Sequence, residues 1–409
     1  IRRPPRSTQS RSSAASDVYK RQDMNNLNKF TLAIDASRNR SGGAQAYIIG
    51  ILSHLDPLKY GISEVHIWAF NSLLNAIPDR PWLIKHNPRE LEMSLTRQLW
   101  WQATKLTGEL RQNRCNVLFS PSASSLCNFQ PMVVLSQDML PYEPGAMKYL
   151  GYTKERIRSI ILYFLQNKVF REAKGVIFLT KYSAEIIQQS CGTLSNVTCI
   201  PHGVGSNFKK NNIVREWPKN SERAIHCIYV SNAELYKHQW VVVEAIAALR
   251  KRGHNINITL IGGGKGVARK LLDDQILASD PENDFVSQLE FLPHNELPGQ
   301  LASADIFVFA SSCENMPITL IEGMSMGLPI VCSNLGPMPE VLSDAGVYCN
   351  PRDVKSVEDA IELIVRDSKL RNTIATKAEV LSKQYSWSRC MNETFLFINE
   401  TYNSEINNE

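Results

Sequence analysis

Short apolar runs alternate with longer amphipathic stretches along almost the whole chain. Between residues 30 and 200 the runs are FTLAID (30–35), EVHIWAF (64–70), NVLF (116–119), MVVL (132–135), GVIFL (175–179) and VTCI (197–200). Further on they are IHCIYV (225–230), NITLIG (257–262), LEFL (289–292), DIFVFA (305–310), PIVC (329–332) and GVYC (346–349). Such unbroken hydrophobicity suits parallel strands covered on both faces, because a half-exposed strand would alternate. Helical spacing fills the gaps. Ile157, Ile160, Ile161, Phe164, Leu165 and Val169 recur at three- and four-residue intervals, behind Thr153 as a cap and ahead of Gly175. Two successive sets of alternating strands and helices predict an α/β chain with two Rossmann-like, doubly wound domains. The stretch 201–222 is polar, holds Pro and Gly and lacks periodicity, so it reads as the linker. The domains then run over 24–203 and 204–387. Open α/β sheets bind ligands beyond the carboxyl ends of their strands, so two facing sheets put a site in the cleft between them.

Composition adds little until the charge is divided along the chain. The 409 residues are 43% hydrophobic and 21% charged, an ordinary globular balance that excludes collagen-like, disordered and disulfide-scaffold classes. The net charge of +5 is uneven. Residues 1–23 hold six Lys and Arg against two Asp and Glu, and have no apolar core of a secretory signal. Such a basic, serine-rich arm also fits a transit peptide or a nucleic-acid arm. However, SSAASDVYKRQ resembles translated read-through of a sequencing adaptor, and Met24 opens a plausible start. Residues 1–23 are therefore expected to be foreign to the fold. Beyond them, 24–200 carry nineteen basic against twelve acidic residues, and 201–409 carry twenty against twenty-six. A basic half beside an acidic half predicts two domains with different partners. The nine cysteines show no CxxC pair and no zinc-ligand spacing, and read as buried thiols of a reducing compartment. No apolar run approaches the ~20 residues of a membrane span. The expectation is a cytoplasmic protein.

The stretch ADIFVFASSCENMPITLIEGMSMGLPIVCS (304–333) carries the chemistry. A strand ends near Ala310, a short loop follows, and a helix is predicted from near Pro317 until Gly327 and Pro329 stop it. The backbone around Asn315, Met316, Pro317 and Ile318 would then lie at a helix N-terminus, an anion site suited to a diphosphate or to sugar oxygens. Glu314 lies beside that site and reads as an acceptor for sugar hydroxyls. Glu322, two turns into the helix, reads as an acceptor for a ribose diol. Elsewhere, such a pair would be read as a helix-terminus charge and a solvated side chain. Here it spans a complete strand–loop–helix–strand unit.

These residues resemble the family 4 retaining glycosyltransferases of the GT-B fold. The resemblance covers nearly all of 30–400 and is strongest over 288–353, where QLEFLPHNEL, the stretch above and MPEVLSDAGVYCNPRD occur in family order and spacing. SGGAQAYIIGIL (41–52), FLTKYSAEII (178–187), IPHGVGSNF (200–208), LIGGG (260–264) and YSW (385–387) also match. The resemblance implies a nucleotide-diphosphate sugar as donor and a saccharide or lipid-linked saccharide as acceptor. It implies that Glu314 contacts the sugar, Glu322 the ribose and the backbone around Leu292 the base. Gly42 and Gly43 would let the first domain approach the donor phosphates. A last helix, about 388–405, would cross back onto the first domain. Bacterial surface polysaccharide assembly is the context it suggests.

Two positions depart from the family pattern. YVSNAELYKHQ (229–239) keeps Lys237 but has Asn232 where Arg is usual, leaving Lys237 as the side-chain cation for the diphosphate. VVLSQDMLPYEP (133–144) has Gln137 before Asp138 where His-Asp is usual, and glutamine does not titrate near neutral pH. Both positions keep alive the alternative of a catalytically weak sugar-nucleotide-binding partner of another transferase. IGGGKGVARK (261–270) fails the P-loop and dinucleotide patterns, which argues against an oxidoreductase, and reads as a turn with Gly263 beside the donor. No DxD or carboxylate cluster calls for a metal, so no metal or cofactor is expected. His202 reads as a turn residue and His66 as a core or edge residue. LTRQLWWQATKL (95–106) and the helix over 153–174 mix cations with apolar residues. They fit an anionic membrane surface as well as a solvated face. No stacking motif accompanies the charge, so no nucleic-acid partner is expected.

Overall fold

A computed structural model describes residues 29–40, 42–149, 153–209, 217–218 and 223–407. The serine-rich tail and the middle of the predicted linker lie outside the described residues. The first sheet is built from β1 (Phe30–Asp35), β2 (Ile62–Trp68), β3 (Leu83–His86), β4 (Val117–Ser120), β5 (Met132–Leu135), β6 (Gly175–Phe178) and β7 (Val197–Cys199). The second holds β8 (Ile225–Val230), β9 (Ile256–Ile261), β10 (Val286–Leu289), β11 (Ile306–Phe309), β12 (Ile330–Ser333) and β13 (Val347–Cys349). The orders are β3-β2-β1-β4-β5-β6-β7 and β10-β9-β8-β11-β12-β13, and every pairing is parallel. Each order reverses direction next to its first strand, between β1 and β4 and between β8 and β11. Loops diverge at such a switch point and leave a crevice.

Helices cover both faces. The ones that matter below are α1 (Gly42–Ser53), α2 (Lys154–Glu172) and α3 (Lys181–Cys191) in the first half. In the second half they are α4 (Gln239–Lys251), α5 (Ile318–Ser325), α6 (Val354–Arg366), α7 (Ser368–Ser382) and α8 (Trp387–Ile406). The strands are buried on both faces, as their unbroken apolar runs require: β4, β5, β6, β11 and β12 have no exposed position.

The chain crosses between the sheets twice, at adjacent places. The Val204 N–H donates to the Tyr385 carbonyl at 3.2 Å. At Gly203 a Cβ would lie 2.1 Å from the Trp387 nitrogen, so only glycine lets the two crossings touch. The C-terminal α8 returns to the first domain. Its Thr394 hydroxyl meets Tyr47 at 3.3 Å, Tyr60 donates to Asn392 at 2.9 Å, and Tyr402 packs on Phe30 with ring centres 4.5 Å apart.

Four expectations change. The run LEFL is not the strand; β10 lies three residues earlier, and Phe291 is exposed. The edge strand β3 escapes the pattern because Lys85 and His86 interrupt its apolar run. His202, read as a turn residue, has its side chain in the core. It is buried between Tyr47 and Trp387, at 5.0 and 5.8 Å between ring centres, and burial pushes its pKa down to about 3. Finally, α2 forms where its spacing and the Thr153 cap predict, but Ile157, Ile160, Ile161 and Phe164 point outward, 42–67% exposed. Its buried side holds Ser159, Gln166, Asn167, Val169 and Phe170 instead.

Candidate functional site

The loops leaving β8 and β11 meet at the switch point of the second sheet. After β8 the chain turns through Leu235–Lys237, and the Tyr229 hydroxyl donates to the Lys237 carbonyl at 2.7 Å. His238 follows in the left-handed region at φ 47°. Its Nε2 pairs with the Ser312 hydroxyl at 2.8 Å, and the Ser312 N–H donates to the Tyr236 carbonyl at 2.7 Å. The two loops are thereby stapled together. Lys237 Nζ donates to Glu314 Oε1, and it lies 5.4 Å from the ring centres of both Tyr236 and Phe309. Both charged side chains are mostly buried, 13% and 14% exposed. Aromatic faces and a carboxylate hold this ammonium ready without removing it from the cleft.

The helix after β11 begins at Ile318, with Pro317 before it. Of the four backbone positions expected to offer amides, Pro317 has none, and Ile318 donates to the Met316 carbonyl at 3.0 Å. The Asn315 and Met316 N–H groups donate to no partner among the described residues. The Asn315 side chain instead ties the domains together. Its Nδ2 donates to the Ser136 carbonyl at 3.2 Å, and the Asn315 backbone carbonyl accepts from Thr180 at 3.1 Å. Both partners belong to the first domain. Gly43, at the start of α1, faces Ile318 so closely that a Cβ would lie 3.5 Å from its Cδ1, while Gly42 faces open space. The structure thus brings Gly43, Asn315, Met316 and Ile318 together across the cleft.

Glu322 lies one turn into α5 and is 2% exposed. Its Oε1 accepts from His294 Nε2 at 2.8 Å, and its Oε2 has no partner among the described residues. Burial raises the Glu322 carboxyl above its ordinary pKa, while His294 opposes that rise. The carboxylate in turn raises the imidazole of His294. His294 and Ser325 line a cavity of about 960 Å³ that extends toward Phe208 and Trp387 at the crossing. Leu292 lies half-buried in the loop that carries His294. Asn232 and Gly263 are neighbours at the rim, because the Ala233 N–H donates to the Gly263 carbonyl at 2.8 Å.

Gln137 and Asp138 follow β5 on the opposite wall. Gln137 Nε2 has no partner among the described residues, and Asp138 accepts the Leu140 N–H at 3.1 Å. Burial pushes the Asp138 carboxyl up. Sequence reasoning missed a second carboxylate there. Glu143 accepts from the Tyr182 hydroxyl at 2.8 Å, and burial raises its pKa too. It also missed His294, two residues past Leu292 in a motif quoted for its order alone. The cluster Glu358, Asp359 and Glu362 lies elsewhere, on α6, tied to Arg252, Lys355 and Arg366.

Solved structures place the architecture. The chain matches sucrose-phosphate synthase from Thermosynechococcus elongatus with a TM-score of 0.70 and 14% identity, over 93% of this chain and 100% of that one. An Anabaena protein solved in complex with UDP and glucose gives 0.65 and 17%, over 89% and 98%. Two parallel sheets in this order, opposed across a cleft, are the GT-B fold. Residues 209–380, most of the second domain, match the family Glycosyl transferases group 1. The O-antigen chain mannosyltransferase B of Escherichia coli is 32% identical over 120 residues, 29% of this chain and 32% of that protein. The N,N'-diacetylbacillosaminyl-diphospho-undecaprenol alpha-1,3-N-acetylgalactosaminyltransferase of Campylobacter jejuni is 24% identical over 296 residues, 66% and 73%. The match to the Escherichia coli protein thus spans about a third of its length.

Proposed function

We propose that the chain is a hexosyltransferase that takes a nucleoside-diphosphate sugar and transfers the sugar to a hydroxyl acceptor with retained configuration, without a metal ion. The observation that carries this reading is the Lys237–Glu314 pair at the second switch point, with Gly43 and the Asn315 and Met316 amides beside it. In this reading Lys237 and those amides stabilise charge on the departing diphosphate, a preorganised electrostatic effect. Glu314 leaves the lysine to accept hydroxyls of the donor sugar. The bond from the anomeric carbon to the diphosphate breaks, and the acceptor oxygen bonds to that carbon on the same face. The acceptor proton passes to the departing diphosphate. Asn232, Gly263 and the backbone at Leu292 line the nucleotide side, and Gln137 and Asp138 the acceptor side.

The names of the relatives above support a saccharide or lipid-linked saccharide as acceptor in bacterial polysaccharide assembly, and in this reading that work takes place on the cytoplasmic face of a membrane. The outward stripe of α2 supports membrane contact. Ile157, Ile160, Ile161 and Phe164 are exposed, with Lys154 and Lys168 exposed among them at helical spacing. Among the described residues no helix is long and apolar enough to cross a membrane. The second reading, a weak or non-catalytic sugar-nucleotide-binding partner, is favoured by Asn232 and Gln137.

The test is transfer by the purified chain. UDP-, GDP-, ADP- and TDP-sugars are screened by thermal shift, and the binders are incubated with lipid-linked acceptors. Product with unchanged anomeric configuration, in chelator, is expected. Lys237→Ala and Glu314→Ala should each slow turnover by about 100-fold, the size expected for a lost charge-stabilising group. Wild-type rates in both variants overturn the site, and binding without transfer favours the second reading.

A further inference from the structure

The buried Glu322 carboxylate is half satisfied, and folding alone does not explain that. One oxygen accepts from His294 at 2.8 Å; the other has no partner among the described residues, although the residue is 2% exposed. A buried acceptor without a donor is costly, so such a group marks a place where a ligand supplies one. His294 is held rather than free. Its ring packs on Phe208 of the interdomain crossing, with centres 5.1 Å apart, and Phe208 is itself buried. The imidazole is thus fixed between Phe208 and the carboxylate, with most of its own surface open to solvent.

We infer that His294 is a positioning residue for the donor: it fixes the Glu322 carboxylate so that its unpaired oxygen accepts the ribose hydroxyls of the nucleoside diphosphate. The inference rests on the reading of Glu322 as the ribose acceptor. A carboxylate with one oxygen tied to a donor has a single orientation left for the other. His294 has a second effect. It favours the charged carboxylate against the burial that opposes it. A protonated Glu322 would present an O–H to the ribose instead of a full acceptor. The other titratable groups lining the cavity beside His294 are His54 after α1, Lys209 in the crossing, Glu379 on α7, Lys383 just after it and Tyr385. Among the described residues, the hydrogen bond to the Glu322 side chain comes from His294.

The test uses the full chain with UDP, GDP and ADP. Affinity is measured by calorimetry between pH 5 and 8, and the tightest binder is compared with its 2′-deoxy counterpart. The native chain should prefer the ribonucleotide by about tenfold or more, the worth of a hydrogen bond to a charged group. Binding should weaken toward acid as Glu322 protonates. In His294→Ala the preference should shrink to under about threefold, and the acid limb should move to higher pH. His294→Gln can place an amide N–H near the same point and should restore the preference. A melting temperature within a few degrees of native confirms that each variant is folded. A preference and an acid limb both unchanged in His294→Ala overturn the inference. Glu322→Ala separates it from the reading beneath: if that variant loses the preference and His294→Ala keeps it, only the role of His294 fails. If Glu322→Ala keeps it, or the native chain binds none of the three nucleotides, both fail.

Discussion

Glu322 and His294 pull stability in opposite directions. Burial raises the Glu322 carboxyl in the folded chain, so its charged form costs stability above that value, and the cost disappears as pH falls through it. His294 is raised above its ordinary 6.5 by its bond to Glu322, so its contribution is complete below that value and is lost as pH rises through the folded one. Two outcomes follow. Glu322→Gln should raise the melting temperature at pH 7 by about 2–4 °C, the response to roughly 1 kcal/mol in a domain of this size, while nucleotide binding falls. The melting temperature of the native chain minus that of His294→Ala should shrink between pH 6 and 8. Scanning calorimetry across that range measures both. Asn232 poses a separate question, because Lys237 is left as the side-chain cation at the proposed diphosphate position. Asn232→Arg should tighten nucleotide binding several-fold through a charge-assisted contact, worth about 1.5–3 kcal/mol at most. The gain should fade at high salt. Unchanged calorimetric affinity at low salt would show that position 232 faces away from the phosphates.

At the scale of elements, the strands were legible because their burial leaves a mark on every residue. FTLAID, MVVL and IHCIYV have the predicted bounds. Where an element lies at an edge the mark fades, and β3 and β10 are the cases. β10 is Val-Ser-Gln-Leu with two exposed positions, so the more apolar LEFL nearby drew the prediction away. The proposed site was legible in type but not in geometry. Glu314, Lys237 and Glu322 stood out in their motifs, whereas the His294 contact joins residues 28 apart through the fold. The helix α2 shows a third limit. Periodicity finds a stripe but not the side it faces. The inner face of α2 is polar because its neighbours are: Tyr142 donates to Asn167 at 3.2 Å, and Ser190 does so at 3.1 Å. The apolar stripe is therefore available outside. If it meets an anionic bilayer, Ile161→Glu with Phe164→Glu should cut binding to phosphatidylglycerol vesicles at least tenfold. Two lost apolar side chains and two added negative charges suffice for that. Being exposed, the changes should leave the melting temperature within about 2 °C. Co-sedimentation reads the loss, and equal binding of native and variant chains to the vesicles would sink the contact.

Across the whole molecule, a second latch between the two domains lies close to the crossing, where the Tyr385 hydroxyl donates to the carbonyl of Val341, the neighbour of Glu340. Glu340 of the second domain accepts the N–H groups of Lys181 and Tyr182 at 2.8 and 2.9 Å. These are the first residues of α3 in the first domain, where the cap Thr180 accepts the N–H of Ser183 but not theirs. A carboxylate from the other domain thus satisfies amides that the helix leaves open, at the positive end of its dipole. Asn315 adds its bonds to Ser136 and Thr180 nearby. The Glu340 contact is solvent-exposed, and water can replace it when the domains part, so its net worth is about 1–2 kcal/mol rather than the full strength of two charged hydrogen bonds. A shift of that size changes the ratio of closed to open forms roughly 5- to 30-fold. Glu340→Ala should therefore enlarge the radius of gyration of the free protein in small-angle scattering. It should also raise the donor KM more than it lowers kcat, because bound donor helps to close the cleft again. Glu340→Gln keeps two polar atoms but loses the charge, and should fall between. If the scattering of Glu340→Ala matches that of the native chain with and without nucleotide, the contact is a passive cap and closure is set by the crossing segments alone.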